Sequence, residues 1–337
     1  MARAATVPAG APAGETAVPS GMRYRQLGRS GLTVSVVGLG ANNFGGRLDL
    51  DRSRAVVEAA LEAGINFIDT SDSYGNMGGS EEILGAILEG RRDSVVVATK
   101  FGSDMGGSNG PEWGARASRR YVMRAVESSL SRLRTDWIDL YQLHRPDGLT
   151  PLSETLEALD DLVHQGKVRY VGSSNLAAWQ VVEADWVSDT KAITRFVSAQ
   201  NHYSLLERQI ERELVPACLA REVAVIPYFP LANGLLTGKW RQGEPPPGGS
   251  RLADGWASGT ATEEAFQVIE ALRSFAAEAG VDLLSVAIGG LAAKPAVGSV
   301  IAGATSAEQV TANARAGEWG PTAEELARID EITAAFR

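Results

Sequence analysis

Three short, almost wholly apolar runs in the first half of the sequence end in a residue able to hold or move a proton. Residues 66–69 end in Asp69, residues 95–100 in Lys100 and residues 138–144 in His144, while Tyr74 follows Asp69 by five positions. The four are chemically complementary. A free tyrosine titrates near ~10, too high for an acid–base group poised at neutrality, and a nearby ammonium favours its phenolate. A buried lysine in turn needs a partner, because an unpaired ammonium away from water is costly, and Asp69 can hold Lys100 charged and oriented. His144 can hydrogen-bond an oxygen and set its direction. Such a set relays a proton at oxygen. It contains no nucleophile, and a chain with three histidines and one cysteine offers no obvious metal cage. Taken singly, each residue has an ordinary explanation: a helix-capping Asp, a solvated Lys, a hydrogen-bonded core His, a loop-packing Tyr. Convergence of all four on one place makes those explanations weak.

A strand–helix rhythm is what would bring them together. Apolar runs at 35–39, 66–70, 95–100, 138–144, 168–173, 196–200, 224–228 and 299–302 read as strands buried on both faces. Amphipathic helical runs lie between them near 51–63, 80–88, 118–133, 152–165, 178–186 and 209–222. Ser80, ahead of Glu81 and Glu82, and Ser118 read as helix caps. Residues 22–27 and 32–34, around Gly28-Arg29-Ser30-Gly31, read as a β-hairpin preceding the first strand. Eight strands separated by helices predict an α/β fold, a single (β/α)8 TIM barrel, in which all strands finish at the face that carries the chemistry. An open doubly wound sheet fits less well. No G-x-G-x-x-G follows the first strand, and Gly38, Gly40, Gly45 and Gly46 have the wrong spacing for it. A long loop joins strands 7 and 8. It holds an irregular stretch, 240–262, with Pro245-Pro246-Pro247-Gly248-Gly249-Ser250, then helical runs near 263–279 and 282–293. Its place at the catalytic end suits a lid.

Composition sets the outer limits. Residues 1–21, rich in Ala, Pro and Gly, read as a disordered arm, and 22–337 as the barrel. A net charge of −9 argues against a nucleic-acid partner. No run approaches the ~18 apolar residues of a membrane span. The arm lacks the apolar run of ~7–15 residues of a signal peptide, so a cytoplasmic protein is expected. Cys218, the only cysteine, reads as a small buried apolar residue. Trp179 and Trp186 read as helix packing, and His164 and His202 as structural or exposed.

Specific motifs then accumulate: Gly38-Leu39-Gly40, Ile68-Asp69-Thr70-Ser71-Asp72-Ser73-Tyr74-Gly75, Ser80-Glu81-Glu82-Ile83-Leu84-Gly85 and Ala98-Thr99-Lys100. They continue with Asp139-Leu140-Tyr141-Gln142-Leu143-His144, Gly172-Ser173-Ser174-Asn175 and Gly234-Leu235-Leu236-Thr237-Gly238-Lys239. From about residue 22 onward the chain resembles the aldo-keto reductase family, in the branch that includes potassium-channel β subunits. The resemblance implies a catalytic tetrad of Asp69, Tyr74, Lys100 and His144. It implies an NADP-dependent enzyme that reduces an aldehyde or ketone, a small-molecule carbonyl substrate, by direct hydride transfer with Tyr74 as general acid. A cofactor-binding redox sensor or regulatory subunit with little turnover is the alternative. A redox-neutral barrel isomerase or lyase is a third reading.

The resemblance also assigns a cofactor path. Gly40, Ala41, Asn42 and Asp69 lie beside it, and the carboxamide belongs near Ser174, Asn175 and Gln200, with Tyr228 against the nicotinamide ring. Phe229, Pro230, Leu231, Ala232, Asn233 and Lys239 cover the pyrophosphate; Phe229 stands where the family usually has serine, so any hydroxyl contact there is lost. Gly303, Thr305, Gln309 and Asn313 surround the adenosine end. An arginine common in relatives near Thr305 is missing here. Arg251 matches a loop arginine able to hold a 2′-phosphate through its forked donors, and Lys239 adds charge, which favours NADPH over NADH. Phe44, Met77, Trp113 and Trp256 are expected as apolar walls of the substrate pocket. The sequence leaves the natural substrate and the oligomeric state open.

Overall fold

A computed structural model describes residues 16–17, 21–246, 248, 253–255 and 259–337. Its first sheet is a small antiparallel one, β1 (Thr16–Ala17), β2 (Arg23–Gln26) and β3 (Thr33–Ser35). The expected hairpin is β2–β3. Strand β1, from the expected arm, pairs with β2; residues 1–15 and 18–20 lie outside the described residues. The second sheet is the barrel. Its strands are β4 (Val37–Gly40), β5 (Phe67–Asp69), β6 (Val96–Phe101), β7 (Ile138–Leu143), β8 (Val168–Ser174), β9 (Phe196–His202), β10 (Ala224–Tyr228) and β11 (Val300–Gly303). Neighbours along the chain pair in parallel from β4 to β10, and β11 returns to β4. The seam between β10 and β11 is drawn together by Val225 N–H to Ala296 O at 2.7 Å and Gly298 N–H to Val225 O at 2.9 Å.

Helices α1 (Leu50–Glu62), α2 (Tyr74–Leu88), α3 (Arg119–Leu133), α4 (Leu152–His164), α5 (Ala178–Lys191) and α6 (Leu214–Arg221) connect successive strands. The long β10–β11 connection holds α7 (Glu263–Glu278) and α8 (Leu283–Ala292), and α9 (Ala307–Ala316) and α10 (Ala323–Ile332) close the chain. Part of the expected lid, residues 247, 249–252 and 256–258, lies outside the described residues. Ser118 caps α3 as expected, its side chain accepting from Tyr121 N–H. Ser80 does not cap a helix. Its hydroxyl lies 2.8 Å from the Thr70 hydroxyl and donates to Ala41 O at 2.8 Å, and Ser80 already sits inside the regular helix, which starts at Gly79 after four residues of positive φ. Trp179 and Trp186 are not packed either. They stand on the outer face of α5, 66% and 64% exposed, while Val181, Ala184 and Val187 face the barrel. Cys218 is buried, and burial pushes its thiol up to about 12.

The barrel interior is filled at the end where the strands begin. Leu27, Leu32 and Val34 of the hairpin pack with Phe67, Ala98, Leu140, Ile226 and Ile301 from the strands. Gly28 makes that plug possible. Its φ of +58° is left-handed, and a Cβ there would stand 2.3 Å from Val197 O and 2.8 Å from Glu222 O. Both obstacles are backbone and cannot swing aside. Gly28→Ala is therefore expected to lower stability by about 2–4 kcal/mol, combining left-handed strain with overpacking. Urea denaturation measures this, and a loss below about 0.5 kcal/mol would show that the plug is not tightly seated.

Candidate active site

Period-two alternation builds the site directly above that apolar plug. Phe67, Ala98 and Leu140 point into the interior, so the residues two further on, Asp69, Lys100 and Gln142, form the next layer toward the mouth. Lys100 has no exposed surface. Its ammonium donates to Asp69 Oδ2 at 2.7 Å, to Thr70 O at 2.7 Å and to the Tyr74 hydroxyl at 3.3 Å, one acceptor for each hydrogen. Burial alone pulls the Lys100 pKa down. Asp69 and Tyr74 outweigh it, and the net position is above the ordinary lysine value. The other Asp69 oxygen accepts from Gln200 at 2.8 Å and Gln142 at 3.2 Å, so three strands fix one carboxylate.

Tyr74 opens α2 with an excursion. Gly75, Asn76, Met77 and Gly78 all have positive φ, so the regular helix starts late and the half-buried phenol stays at Lys100. Gly75 is obligatory there, since a Cβ would meet Phe44 O at 2.3 Å. The His144 ring meets Tyr74 edge-on, with centroids 5.9 Å apart. Its Nδ1 lies 2.9 Å from the Ser103 hydroxyl and 3.1 Å from the Ser71 hydroxyl. Burial first, then the charges of Lys100 and Arg145, drive its pKa down to about 3, so the imidazole is neutral at physiological pH.

A second polar layer backs the first. Glu81, fully buried, accepts from Thr99 Oγ1 at 2.5 Å and pairs with Arg132 at 2.7 Å. Asp72 is also fully buried; burial and then Glu81 push its carboxyl up to about 8, against Arg132 and hydrogen bonds from Ser71 and the Ser73 backbone. Gln142, Ser71, Ser103 and Asp72 also belong to the site, beyond the residues expected from the sequence. Gln142 had a signal, since it shares the inward alternation of β7 with Leu140 and His144. The serines had none.

Over residues 36–334 the chain matches the Aldo/keto reductase family. It belongs to that family. Relatives include a "Probable voltage-gated potassium channel subunit beta" of Oryza sativa subsp. japonica, 35% identical over 88% of this chain and 91% of that protein. The "Uncharacterized oxidoreductase YrpG" of Bacillus subtilis is 36% identical over 92% and 96%, respectively. The "Versiconal hemiacetal acetate reductase" of Aspergillus parasiticus is 38% identical over 65% and 70%. Membership of the aldo/keto reductase family, with reductases among the relatives, supports an oxidoreductase activity.

In this aldo/keto reductase the residues expected along a dinucleotide fall into three groups. At the mouth, Asn175 donates to His144 O and to Ser174 Oγ, both at 3.0 Å, and its Oδ1 accepts from the Tyr228 hydroxyl at 2.9 Å. Gln200 is buried and turned to Asp69. His202, expected to be structural or exposed, is half-buried and stacks on Tyr228 at 5.4 Å and 7°, with Phe229 edge-on to both. In the second group, Phe229, Ala232, Asn233, Gly234 and Gly238 have positive φ, and Leu231 between them does not. The segment turns back on itself, with Ala232 N–H donating to Phe229 O at 2.9 Å and Gly234 N–H to Leu231 O at 2.8 Å, and Pro230 and Ala232 are buried. In the third group, Lys239 and Gln309 line one cleft of ≈ 220 Å³ with Thr237 and Ser306. Gln309 Oε1 also accepts from Thr305 N–H at 2.9 Å, and Asn313 is buried in α9.

Two buried side-chain oxygens along this path, Asn42 Oδ1 and Asn233 Oδ1, have no hydrogen-bond partner among the described residues. Asn42 Oδ1 faces Gly303, 3.7 Å from where a Cβ would stand; Gly40 and Ala41 lead up to it from β4. Buried acceptors left without donors fit a polar ligand here. Arg251 lies outside the described residues.

The expected substrate walls fare differently. Phe44 is wholly buried in the main core and presents no surface to a pocket. Met77 is exposed and lies against Gly106. Trp113 is 75% exposed, with the Arg120 guanidinium 4.6 Å above its ring. Trp256 lies outside the described residues.

The buried neutral histidine has a thermodynamic signature. The unfolded chain takes up a proton near ~6.5 that the folded chain refuses until about 3, so His144 removes stability as pH falls through that window. The penalty is on the order of 3 kcal/mol at pH ~4. Urea denaturation of wild type and His144→Gln at neutral and acid pH should show the difference moving by that amount in favour of the variant. A difference that does not change with pH would exclude a strongly depressed histidine.

Proposed function

We propose that this chain is an NADPH-dependent reductase of small aldehydes or ketones in which Tyr74 is the general acid. The observation that carries the reading is the chain from Asp69 through the buried Lys100 ammonium to the Tyr74 hydroxyl at 2.7 and 3.3 Å. The bound nicotinamide supplies the hydride. Tyr74 gives its proton to the carbonyl oxygen, and the phenolate that remains is stabilised by Lys100, which Asp69 keeps charged. Neutral His144 directs the oxygen by a hydrogen bond rather than by charge. Ser174, Asn175 and Tyr228 present an amide, a hydroxyl and a ring to the nicotinamide end. The turn from Phe229 to Gly238 would cover the pyrophosphate, and the Lys239–Gln309 cleft suits the adenosine phosphate. Lys239 supplies positive charge at that cleft, which a 2′-phosphate requires, and this supports NADPH over NADH.

The channel-subunit names of the rice relative and of an Arabidopsis thaliana relative, 33% identical, favour a second reading, a cofactor-binding regulatory subunit with little turnover. Repeated turnover of NADPH with a simple aldehyde separates the two, since a sensor would stop after one slow event.

Tyr74→Phe is expected to fold and bind NADPH as wild type does but to reduce an aldehyde about 10²–10⁴-fold more slowly. Steady-state absorbance and cofactor-binding fluorescence measure the two properties, and unchanged turnover would remove Tyr74 from the role of acid. NADPH should exceed NADH in kcat/KM by about tenfold, one phosphate ion pair at the adenosine end. Equal or better use of NADH would reverse the cofactor choice.

A further inference from the structure

We infer that His202 and Phe229 are positioning residues that lock the Tyr228 ring in one orientation, so that it stands ready as a platform for the flat nicotinamide end of the cofactor. The clamp itself is independent of the reductase reading; its effect on the cofactor rests on that reading.

Strand order brings two of the three rings together. His202 and Tyr228 end β9 and β10 and are register partners in that parallel pair. Each stands two residues beyond a side chain already turned inward, Gln200 on β9 and Ile226 on β10. Period-two alternation therefore raises both into the next layer, at the mouth. Neighbouring strands lie ~4.8 Å apart, a spacing at which flat side chains on register partners meet face to face. The two rings do so, with centroids 5.4 Å apart and planes 7° from parallel. Phe229 follows at once. Its ring is 5.2 Å from Tyr228 at 84° and 5.7 Å from His202 at 89°. Three nearly equal separations place Phe229 beside the stack, across both ring edges, rather than over the other Tyr228 face.

Each contact removes a freedom from Tyr228. His202 covers one face, Phe229 blocks rotation at the edge, and the hydroxyl is tied to Asn175 Oδ1 at 2.9 Å. Among the described residues no aromatic ring lies on the opposite face. Phe229 reaches its place through an unusual backbone: its φ of +53° is left-handed, a conformation bulky residues rarely adopt. The chain turns there, with Ala232 N–H donating to Phe229 O at 2.9 Å. The stacked pair is one of neutral rings. Burial holds the His202 pKa below its ordinary value, against the charge of Glu207. Stacking of this kind needs a flat ring and no charge, so phenylalanine can stand in for His202. A ring already fixed costs a ligand less to use than one ordered only on binding.

Adenosine 2′,5′-bisphosphate, which matches the adenosine end of NADPH and lacks the nicotinamide, separates this role from general support of the fold. In titration calorimetry His202→Ala should weaken NADPH by about three- to tenfold, the worth of one ring pair, and leave adenosine 2′,5′-bisphosphate unchanged. His202→Phe should restore wild-type affinity. Phe229→Leu, which keeps the bulk and loses the ring, should show the same selective loss. Without cofactor, NMR line shapes of labelled tyrosine rings report rotation, and Tyr228→Phe identifies the signal among the seven tyrosines. Exchange between the two edges of Tyr228 should be about tenfold faster in His202→Ala than in wild type. Equal weakening of both ligands, a His202→Phe protein no better than His202→Ala, wild-type behaviour in Phe229→Leu, or a rotation rate unchanged by His202→Ala would overturn the inference. If His202→Ala does not fold, His202→Leu replaces it in each comparison. A wild type that binds neither ligand would sink the reductase reading, and ring rotation alone would then decide the clamp.

Discussion

A lysine ammonium with no contact with water sits at the mouth of the barrel, and the rest of the site is arranged around it. Desolvation of that charge is the largest single penalty acting on Lys100, and three acceptors offset it: a carboxylate, a backbone carbonyl and a phenol. Two of the three come from the β5 end and the third from the start of α2, so the loop between them cannot drift without exposing a buried cation. The same charge then acts outward. It helps to keep His144 neutral, which leaves one positive group and one uncharged ring, both against Tyr74. In the proposed reaction that asymmetry would let the site give a proton from one side and orient an oxygen from the other.

Much of this was legible in the sequence, for a physical reason. Strands buried on both faces are apolar throughout, so Asp69, Lys100 and His144 stand out as polar endings that the packing rule does not tolerate without a purpose. Their common face follows from parallel order. The helices and hairpin were legible too, to within a few residues, from periodicity and glycine punctuation. What escaped were residues whose role exists only through a residue of another strand. Ser71 and Ser103 follow strand ends, where serine is commonplace, and nothing in the local sequence shows that they share one nitrogen of the histidine just after β7.

Other differences show where pattern stops being informative. Trp179 and Trp186 recur at helical spacing, which identifies a face of α5 but not the direction in which it points. The inward positions are taken by Val181, Ala184, Val187 and Ser188, small enough for the helix to lie close to the sheet, and the two indoles are left outside. Phe44 lies in a mouth-side loop and so looked like a pocket wall, yet that loop folds down and buries the ring completely. Apolar side chains in loops follow the nearest core rather than the nearest opening.

The hairpin of β2 and β3 gives the molecule a polarity along its axis. With Leu27, Leu32 and Val34 stoppering the end where strands begin, the barrel is a cup rather than a tube. Reactant and product must share a single doorway, and whatever covers that rim sets the order in which they come and go. The loop between β2 and β3 lies at the base of the cup, so a change made there stays far from the doorway.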